Sequence, residues 1–332
     1  MATKTAPAAA AELIVVGSVN QDNFVYLSDF PQPGQTILAN GASTSLGGKG
    51  ANQAIAAAIL GASVSFVGQI GNDPAGEAAR STFVSYGIDH GKLASHQTAM
   101  TGAAYISVNA SGENTIVVHS GANSQVDADL VAAALEELIS RPAAVPRIVL
   151  AQGELPAAVV DRAASVTRDL GVRFLLNLAP VIAVSDETLA LSSPLVVNEG
   201  EALELLSRYG VPPQDSESGV DLAIRLSDRY GTAVVVTLGA AGAAVTSEGV
   251  SWLEPSPRPA RIIDTTGAGD AFVGAMTVAL CCGFELADAV RLGTAAGSHA
   301  VGGEGTTSSY ATTADLPELE RVRDSLIDGV FS

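Results

Sequence analysis

The stretch Asp264-Thr265-Thr266-Gly267-Ala268-Gly269-Asp270-Ala271-Phe272 holds residue types and spacings suited to phosphoryl chemistry. Ile262 and Ile263 before it read as a strand end. The apolar run Ala271 to Cys282, stopped by Gly283, reads as a buried helix. Gly267 to Gly269 then fall where a loop becomes a helix N-terminus. The first N–H groups of a helix lack intrahelical partners and carry the positive end of its dipole. Glycines let an anion approach that backbone closely. Asp270, in the first turn, is placed to take a proton from an alcohol attacking a phosphate held there. The same residues also make an ordinary helix start, since Asp is a common residue there and Gly-x-Gly turns recur widely.

A second glycine-rich stretch lies far upstream, Gly47-Gly48-Lys49-Gly50-Ala51-Asn52-Gln53, opening an Ala-rich helix from Ala51 to Leu60. Its glycines let a sugar-sized ligand lie against the backbone. Lys49 and Asn52 offer donors, and Asn52 an acceptor, for hydroxyl groups. Taken alone it is equally a tight turn before a helix. No Gly-x-x-x-x-Gly-Lys-[Ser/Thr] pattern occurs, and Gly17-Ser18-Val19-Asn20 does not match a dinucleotide fingerprint.

The elements that must position these stretches alternate along the chain. Strands are expected at Leu13 to Gly17, Val64 to Gly68, Ile148 to Ala151, Phe174 to Leu178, Leu195 to Val197 and Val234 to Leu238. Helices are expected at Pro74 to Tyr86, Asp127 to Ser140, Pro156 to Leu170, Glu199 to Arg208, Val220 to Tyr230, Leu286 to Ala300 and Leu316 to Ile327, with a loop from Val211 to Ser218. Ala243 to Thr246 and Val250 to Leu253 read as a hairpin. Such alternation implies an α/β fold with a mostly parallel sheet between helices. Short strands at Phe24 to Tyr26 and Thr36 to Ala42, and a hairpin from Gly102 to His119, interrupt the pattern. They are expected to form a small separate sheet that covers the mouth of the main domain. Polar residues just past the first strand, Ser18 to Asp22, fall where open α/β sheets bind ligands.

Composition narrows the function further. Hydrophobic residues make up 47% of the 332, which suits a large core, while aromatics at 5% leave that core to Ala, Val, Leu and Ile. A net charge of −18 argues against nucleic-acid and anionic-membrane partners. It does not argue against an anionic substrate held by a glycine loop and magnesium. Cys281 and Cys282 are neighbours in an apolar run and suggest core thiols in a reducing cytoplasm. His90, His96, His119 and His299 show no metal-site spacing. Met1 to Ala11 lacks the apolar centre of a signal peptide and reads as a disordered arm, and no apolar run approaches the ~20 residues of a membrane span.

Together, Gly-Gly-Lys-Gly-Ala-Asn-Gln-Ala at 47–54 and Asp-Thr-Thr-Gly-Ala-Gly-Asp-Ala-Phe at 264–272 resemble the two signatures of the PfkB carbohydrate kinase family. The resemblance runs from about residue 12 to residue 327. Gly-Ser-Val-Asn-Gln-Asp at 17–22, Phe-Pro-Gln-Pro-Gly-Gln-Thr at 30–36, Gly-Glu-Asn at 112–114, Gly-Ala-Asn at 121–123, Leu-Asn-Leu-Ala-Pro at 176–180 and Asn-Glu-Gly-Glu-Ala at 198–202 are most similar to the family's ribose-phosphorylating branch.

The resemblance implies a three-layer α/β sandwich over residues 12–330, with a central mostly parallel sheet. A small β-sheet lid would be built from segments of about 23–43 and 97–120. It implies ATP-dependent phosphorylation of D-ribose at its primary 5-hydroxyl, with Asp270 as general base. Gly267, Ala268 and Gly269 would be the anion hole. Asn20, Asp22, Gly48, Lys49, Asn52 and Glu154 would hold the sugar, although Glu154 is also a plausible solvated carboxylate at a strand end. Asn198, Thr237, Gly239, Gly269 and Thr294 would hold ATP, with Thr294 at the adenine. Glu201 would hold Mg2+ through water. Asp264, Thr266, Ala300, Gly303, Gly305 and Ser309 would hold K+, although Asp264 also reads as an Asp closing a strand. The segment Gly302 to Thr306 lacks the basic residues expected from the family pattern, which bears on the strength of the cation effect. A cytoplasmic homodimer paired through the lid sheets is expected. A sister kinase for 2-deoxyribose, another sugar or a nucleoside is the nearest alternative. A non-catalytic sugar-binding protein on the same fold is an alternative of another class.

Overall fold

The structure is a computed structural model and describes residues 11–143, 145, 147–208, 210, 217–317 and 319. Its strands are β1 Glu12–Val16, β2 Asn20–Tyr26, β3 Gly41–Gly47, β4 Ser63–Gly71, β5 Asp89–His96, β6 Gly102–Val108, β7 Asn114–His119, β8 Arg147–Gln152, β9 Arg173–Asn177, β10 Ser192–Asn198, β11 Val234–Thr237, β12 Ala243–Ser247 and β13 Val250–Glu254. Its helices are α1 Lys49–Ile59, α2 Pro74–Ser85, α3 Ala128–Ser140, α4 Ala157–Asp169, α5 Asp186–Leu191, α6 Glu199–Arg208, α7 Gly219–Tyr230, α8 Ala268–Cys281 and α9 Leu286–Ala300.

A nine-stranded sheet runs β13-β12-β11-β10-β9-β8-β1-β4-β5. It is parallel from β11 to β5, and only β12 and β13 at one edge are antiparallel. Continuous apolar strands follow from burial of both faces. In β1, Leu13 and Val15 enter the core shared with α1, α2, α8 and α9, while Ile14 and Val16 enter the core shared with α3, α4, α6 and α7. β8 divides in the same way, Ile148 and Leu150 on one side and Val149 and Ala151 on the other. Three layers result, as expected. No helix among the described residues is long and apolar enough to cross a membrane.

Small side chains set the spacing of the layer that matters for the site. A Cβ on Gly274 of α8 would lie 2.6 Å from the Cβ of Ala56 in α1, so the two helices touch backbone to backbone there. One turn earlier on each helix stand Asp270 and the pair Asn52 and Gln53. This Ala/Gly contact brings the two glycine-rich stretches together.

A second sheet, β3-β2-β6-β7, stands apart from the first. β2 and β3 are antiparallel, as are β6 and β7, while β2 and β6 are parallel. Residues 36–40 are not a strand; the partner of β2 is Gly41–Gly47, with Gly41 opposite Tyr26 and Gly47 opposite Asn20. Leu38 is 91% exposed, so its apolar side chain marks no sheet face. β5 and α5 were not expected from sequence. β5 is an edge strand whose only buried residue is Leu93, so it lacks an apolar run. Ile262 and Ile263 are exposed and not in a strand; Asp264 therefore closes no strand. The expected arm lies outside the described residues except for Ala11, which is buried and accepts from Ser63 N at 2.9 Å. Nearly all of the helix expected at Leu316 to Ile327, and most of the loop Val211 to Ser218, also lie outside them.

Candidate active site

Helix α8 starts at Gly267, the N-cap residue, with φ 77°. A side chain there would be strained, and its Cβ would lie 2.3 Å from Thr306 Cγ2. Ala268, Gly269 and Asp270 make the first turn. Asp270 is 8% exposed. Its Oδ2 accepts from Asn52 Nδ2 at 3.0 Å and its Oδ1 from Gln53 Nε2 at 2.9 Å. Gln53 is held in turn: its Nε2 also donates to Asn177 Oδ1, and its Oε1 accepts from Gln152 Nε2, both at 2.9 Å. A relay of amides from β8, β9 and α1 thus orients the carboxylate at the end of α8.

Asn20 and Asp22 sit at the start of β2, where the chain leaves the main sheet for the second one. Both are buried. Glycines on the neighbouring strands make their room. A Cβ on Gly47 would lie 2.1 Å from the Asp22 carboxylate, and one on Gly102 would lie 2.1 Å from Asn20 Oδ1. Asn123 donates to Asn20 Oδ1 at 2.8 Å and grips Val19 through both its N–H and its carbonyl. Gly48 caps α1 with φ 89°. Glu154, just after β8, accepts from the Ser18 hydroxyl and, at 2.9 Å, from the backbone N–H of Lys49. It is therefore not a loosely solvated carboxylate.

These groups are electrostatically coupled. Burial, then the Glu154 and Asp270 carboxylates, push Asp22 up to about 7. Burial pulls the Lys49 ammonium down, but Asp270, Glu154 and Glu201 more than offset it, and the ammonium stays charged above its ordinary range. One buried cation thus serves several carboxylates.

Two cavities meet beside Asp270. The smaller, about 130 Å³, is lined by Lys49, Asn177, Glu201, Thr237 and Asp270 among others. The larger, about 1110 Å³, runs over the N-terminus of α8 and along α9. Asn198, Thr237 and Gly269 line both. Gly239 and Thr294 line the larger one, so all five residues expected to hold a nucleotide face one space. Thr294 spends its hydroxyl on Arg291 O at 2.8 Å.

Asn198 and Glu201 cap each other: Asn198 N donates to Glu201 Oε2 and Glu201 N to Asn198 Oδ1, each at 2.8 Å. The pair starts α6 as a reciprocal cap. Burial raises the Glu201 pKa, although the Asn198 N–H and Lys49 oppose it. No group of three or more His, Cys, Asp or Glu capable of holding a metal occurs among the described residues. A lone carboxylate does suit magnesium, which keeps most of its waters and binds substrate phosphates.

Asp264 and the segment after α9 are brought together under the α8 cap. Asp264 Oδ1 accepts from Thr266 N at 2.9 Å and Oδ2 from Gly305 N at 3.3 Å. Gly303 N donates to Ala300 O at 3.2 Å, and Ser309 Oγ to Gly305 O at 2.9 Å. A carboxylate among backbone carbonyls and a hydroxyl is an all-oxygen donor set suited to a hard cation.

Sequence reasoning gave no role to Gln53, Gln152, Asn177 or Asn123, and named Ser18 only as part of the ligand-side stretch Ser18 to Asp22. A usable signal exists for two of them: Gln152 and Asn177 are polar residues ending buried parallel strands, where ligand sites form. Tyr310 carries no such signal. It is buried against Gly267, its hydroxyl 2.9 Å from where a Gly267 Cβ would stand and without a hydrogen-bond partner among the described residues. Burial, then Asp270 and Asp22, push its pKa well up, so it is a neutral phenol.

The pfkB family carbohydrate kinase model matches residues 10–313. The chain is 38% identical over 307 residues to the ribokinase of Haemophilus influenzae, covering 92% of this chain and 97% of that protein. A ribokinase structure from Thermotoga maritima superposes with a TM-score of 0.82 at 28% identity, over 94% of this chain and 99% of that one. The structure of Arabidopsis thaliana ribokinase complexed with ribose and ATP gives 0.80 at 28% identity, over 93% and 98%. The chain belongs to the pfkB family of carbohydrate kinases, in its ribokinase branch.

Proposed function

We propose that the protein transfers the γ-phosphoryl group of ATP to the primary 5-hydroxyl of D-ribose, giving D-ribose 5-phosphate. The observation that carries this reading is the place of Asp270. It stands at a helix N-terminus and lines the small cavity, which shares Asn198, Thr237 and Gly269 with the large one, and its oxygens are gripped by the Asn52 and Gln53 amides of α1. Asp270 takes the proton of the sugar's 5-hydroxyl as that oxygen attacks phosphorus. The N–H groups of Gly267, Ala268 and Gly269 stabilise charge growing on the transferred phosphoryl group. Asn20, Asp22, Lys49, Asn52 and Glu154 hold the sugar's other hydroxyls. An Asp accepts and an Asn does both, which suits a vicinal diol.

Magnesium, when bound, would supply positive charge to neutralise the phosphate tail. Glu201, with Oε2 fixed by Asn198, would hold it through water. Asp264 and Ser309, with the carbonyls of Thr266, Ala300, Gly303 and Gly305, would hold a monovalent cation, potassium by resemblance. The second sheet serves as the lid, closing over the sugar so that water does not compete as phosphoryl acceptor. Every residue of its edge strand β7 is exposed, with Ile116, Val117 and Val118 in a row, and a second copy of the chain covers it.

The test is ADP release with a panel of sugars, with and without potassium. Ribose should give the highest kcat/KM, and Asp270→Asn should lower kcat by about 10²–10⁴-fold. Better turnover of 2-deoxyribose, another sugar or a nucleoside would move the assignment to a sister kinase. Sugar binding without ATP consumption would make it a binding protein.

A further inference from the structure

The wall of the large cavity includes a segment that the catalytic residues leave unexplained. Between β13 and α8 the chain runs Pro255-Ser256-Pro257-Arg258-Pro259-Ala260-Arg261. It is strapped to α9 at both ends: Ser298 Oγ donates to Pro257 O at 2.7 Å, and Ile263 N donates to Val301 O at 2.8 Å. Three prolines fix φ along it, so little conformational freedom remains to be lost on binding. Between the anchors stand Arg258 and Arg261, the only cationic residues that line the cavity among the described residues.

Both arginines are exposed, and neither guanidinium makes an ion pair or hydrogen bond among the described residues. Their neighbour Arg291 on α9 differs, being tied to Glu254 and Asp288. In a chain of net charge −18, an unspent pair of guanidinium groups on the wall of one cavity is a local reversal of sign. The strap leads directly into Thr265 and the anion hole, so its charges lie along the approach to that hole. Guanidinium groups match phosphate oxygens in shape and charge.

We infer that Arg258 and Arg261 form a cationic strap that binds the phosphate tail of a nucleoside di- or triphosphate and draws it into the cavity against the charge of the whole molecule. This deepens the nucleotide reading of the cavity and rests on it, but not on the identity of the sugar. The test is calorimetric titration of ADP, without sugar, into wild type, Arg258→Gln, Arg261→Gln and the double variant, at low and high ionic strength, with adenosine as the uncharged control. The double variant should bind ADP about tenfold more weakly at low salt. Its affinity should depend less on salt than that of wild type. Adenosine binding should not change, and Arg258→Lys with Arg261→Lys should recover most of the loss. Unchanged ADP affinity and salt dependence would overturn the inference. So would an equal loss for adenosine, which would make the strap a wall rather than an anion site. Failure of wild type to bind ADP at all would instead remove the nucleotide reading itself.

Discussion

Asn52 Nδ2 donates to Asp270 Oδ2 at 3.0 Å across 218 positions of sequence. The bond joins the first turn of α1 to the first turn of α8, and so one glycine-rich stretch to the other. A residue on the sugar side and the proposed base are therefore held directly to each other.

Gln53 extends that link without belonging to either ligand's set of contacts. It bonds Asp270, Asn177 and Gln152, so it is a positioning residue for the carboxylate. Gln53→Leu would leave the Gln152 donor and the Asn177 acceptor buried and unpaired, at about 1–3 kcal/mol each. It should lower kcat by roughly tenfold or more through a misplaced base. The sugar KM should change much less, because the sugar-side groups are untouched. Steady-state kinetics decide: a purely structural role would lower the melting temperature while leaving kcat per folded molecule at the wild-type value.

Two glycines of α8 make opposite predictions from the same substitution. A Cβ on Gly274 meets Ala56 Cβ at 2.6 Å, so Gly274→Ala must push α1 and α8 apart. An overpacked core of this kind costs about 1–3 kcal/mol, and thermal denaturation should show it. A Cβ on Gly269 meets no protein atom within 4 Å, and no positive φ stands in its way. Gly269→Ala should therefore leave the melting temperature alone and lower kcat/KM for ATP by crowding the anion hole. Loss of stability at 269, or none at 274, would contradict the geometry.

The parts legible in the sequence were those where one residue type does one job. The run Leu-Ile-Val-Val at 13–16 reads as a strand buried on both faces, and it is. Gly267 to Asp270 reads as a helix start, and it is. Illegible parts depend on partners far along the chain. β5 is an edge strand of mostly exposed residues, stabilised by its pairing with β4 rather than by its own side chains. The position of β3 follows from its register with β2, which sets Gly47 opposite Asn20 and beside the Asp22 carboxylate; Thr36 to Ala42 offered the more strand-like composition. The pair Ile262 and Ile263 shows the reverse failure, because both branched residues lie exposed, Ile262 at the wall of the large cavity. Gln152 and Asn177 stand out as polar residues at strand ends, but their part in holding Asp270 shows only once Gln53 is seen between them.

Asp22 gives the pH prediction. Its pKa is raised from 3.8 to about 7 in the folded protein, chiefly by burial. Between those values the folded state holds a proton that the unfolded state has released. Stability should therefore fall as pH rises from about 4 to about 7 and level off above. Sugar binding should follow the opposite sign, because ionised Asp22 accepts hydrogen bonds at both oxygens from a diol. The dissociation constant for ribose should fall several-fold from pH 6 to pH 8, and Asp22→Asn should remove that dependence. A wild-type profile that Asp22→Asn leaves unaltered would place the titration elsewhere in the site.

The edge strand of the second sheet gives the last. In β7, Ile116, Val117 and Val118 are all exposed, and among the described residues β7 pairs on one side only, with β6. An isolated edge of this composition is a template for another chain, and natural proteins normally blunt such edges with charge or proline. Pairing of lid to lid in a homodimer would cover it. Ile116→Asp with Val118→Asp should then convert a dimer to a monomer in sedimentation analysis, since carboxylates buried in an apolar contact are strongly disfavoured. Neither residue touches the Asp270 amide relay, so the folded core should survive the change. The sugar KM should nevertheless rise, because the same sheet carries Asn20 and Asp22 on β2, two strands from the edge. A wild-type chain that sediments as a monomer would show that β7 tolerates exposure and that the lid closes without a partner.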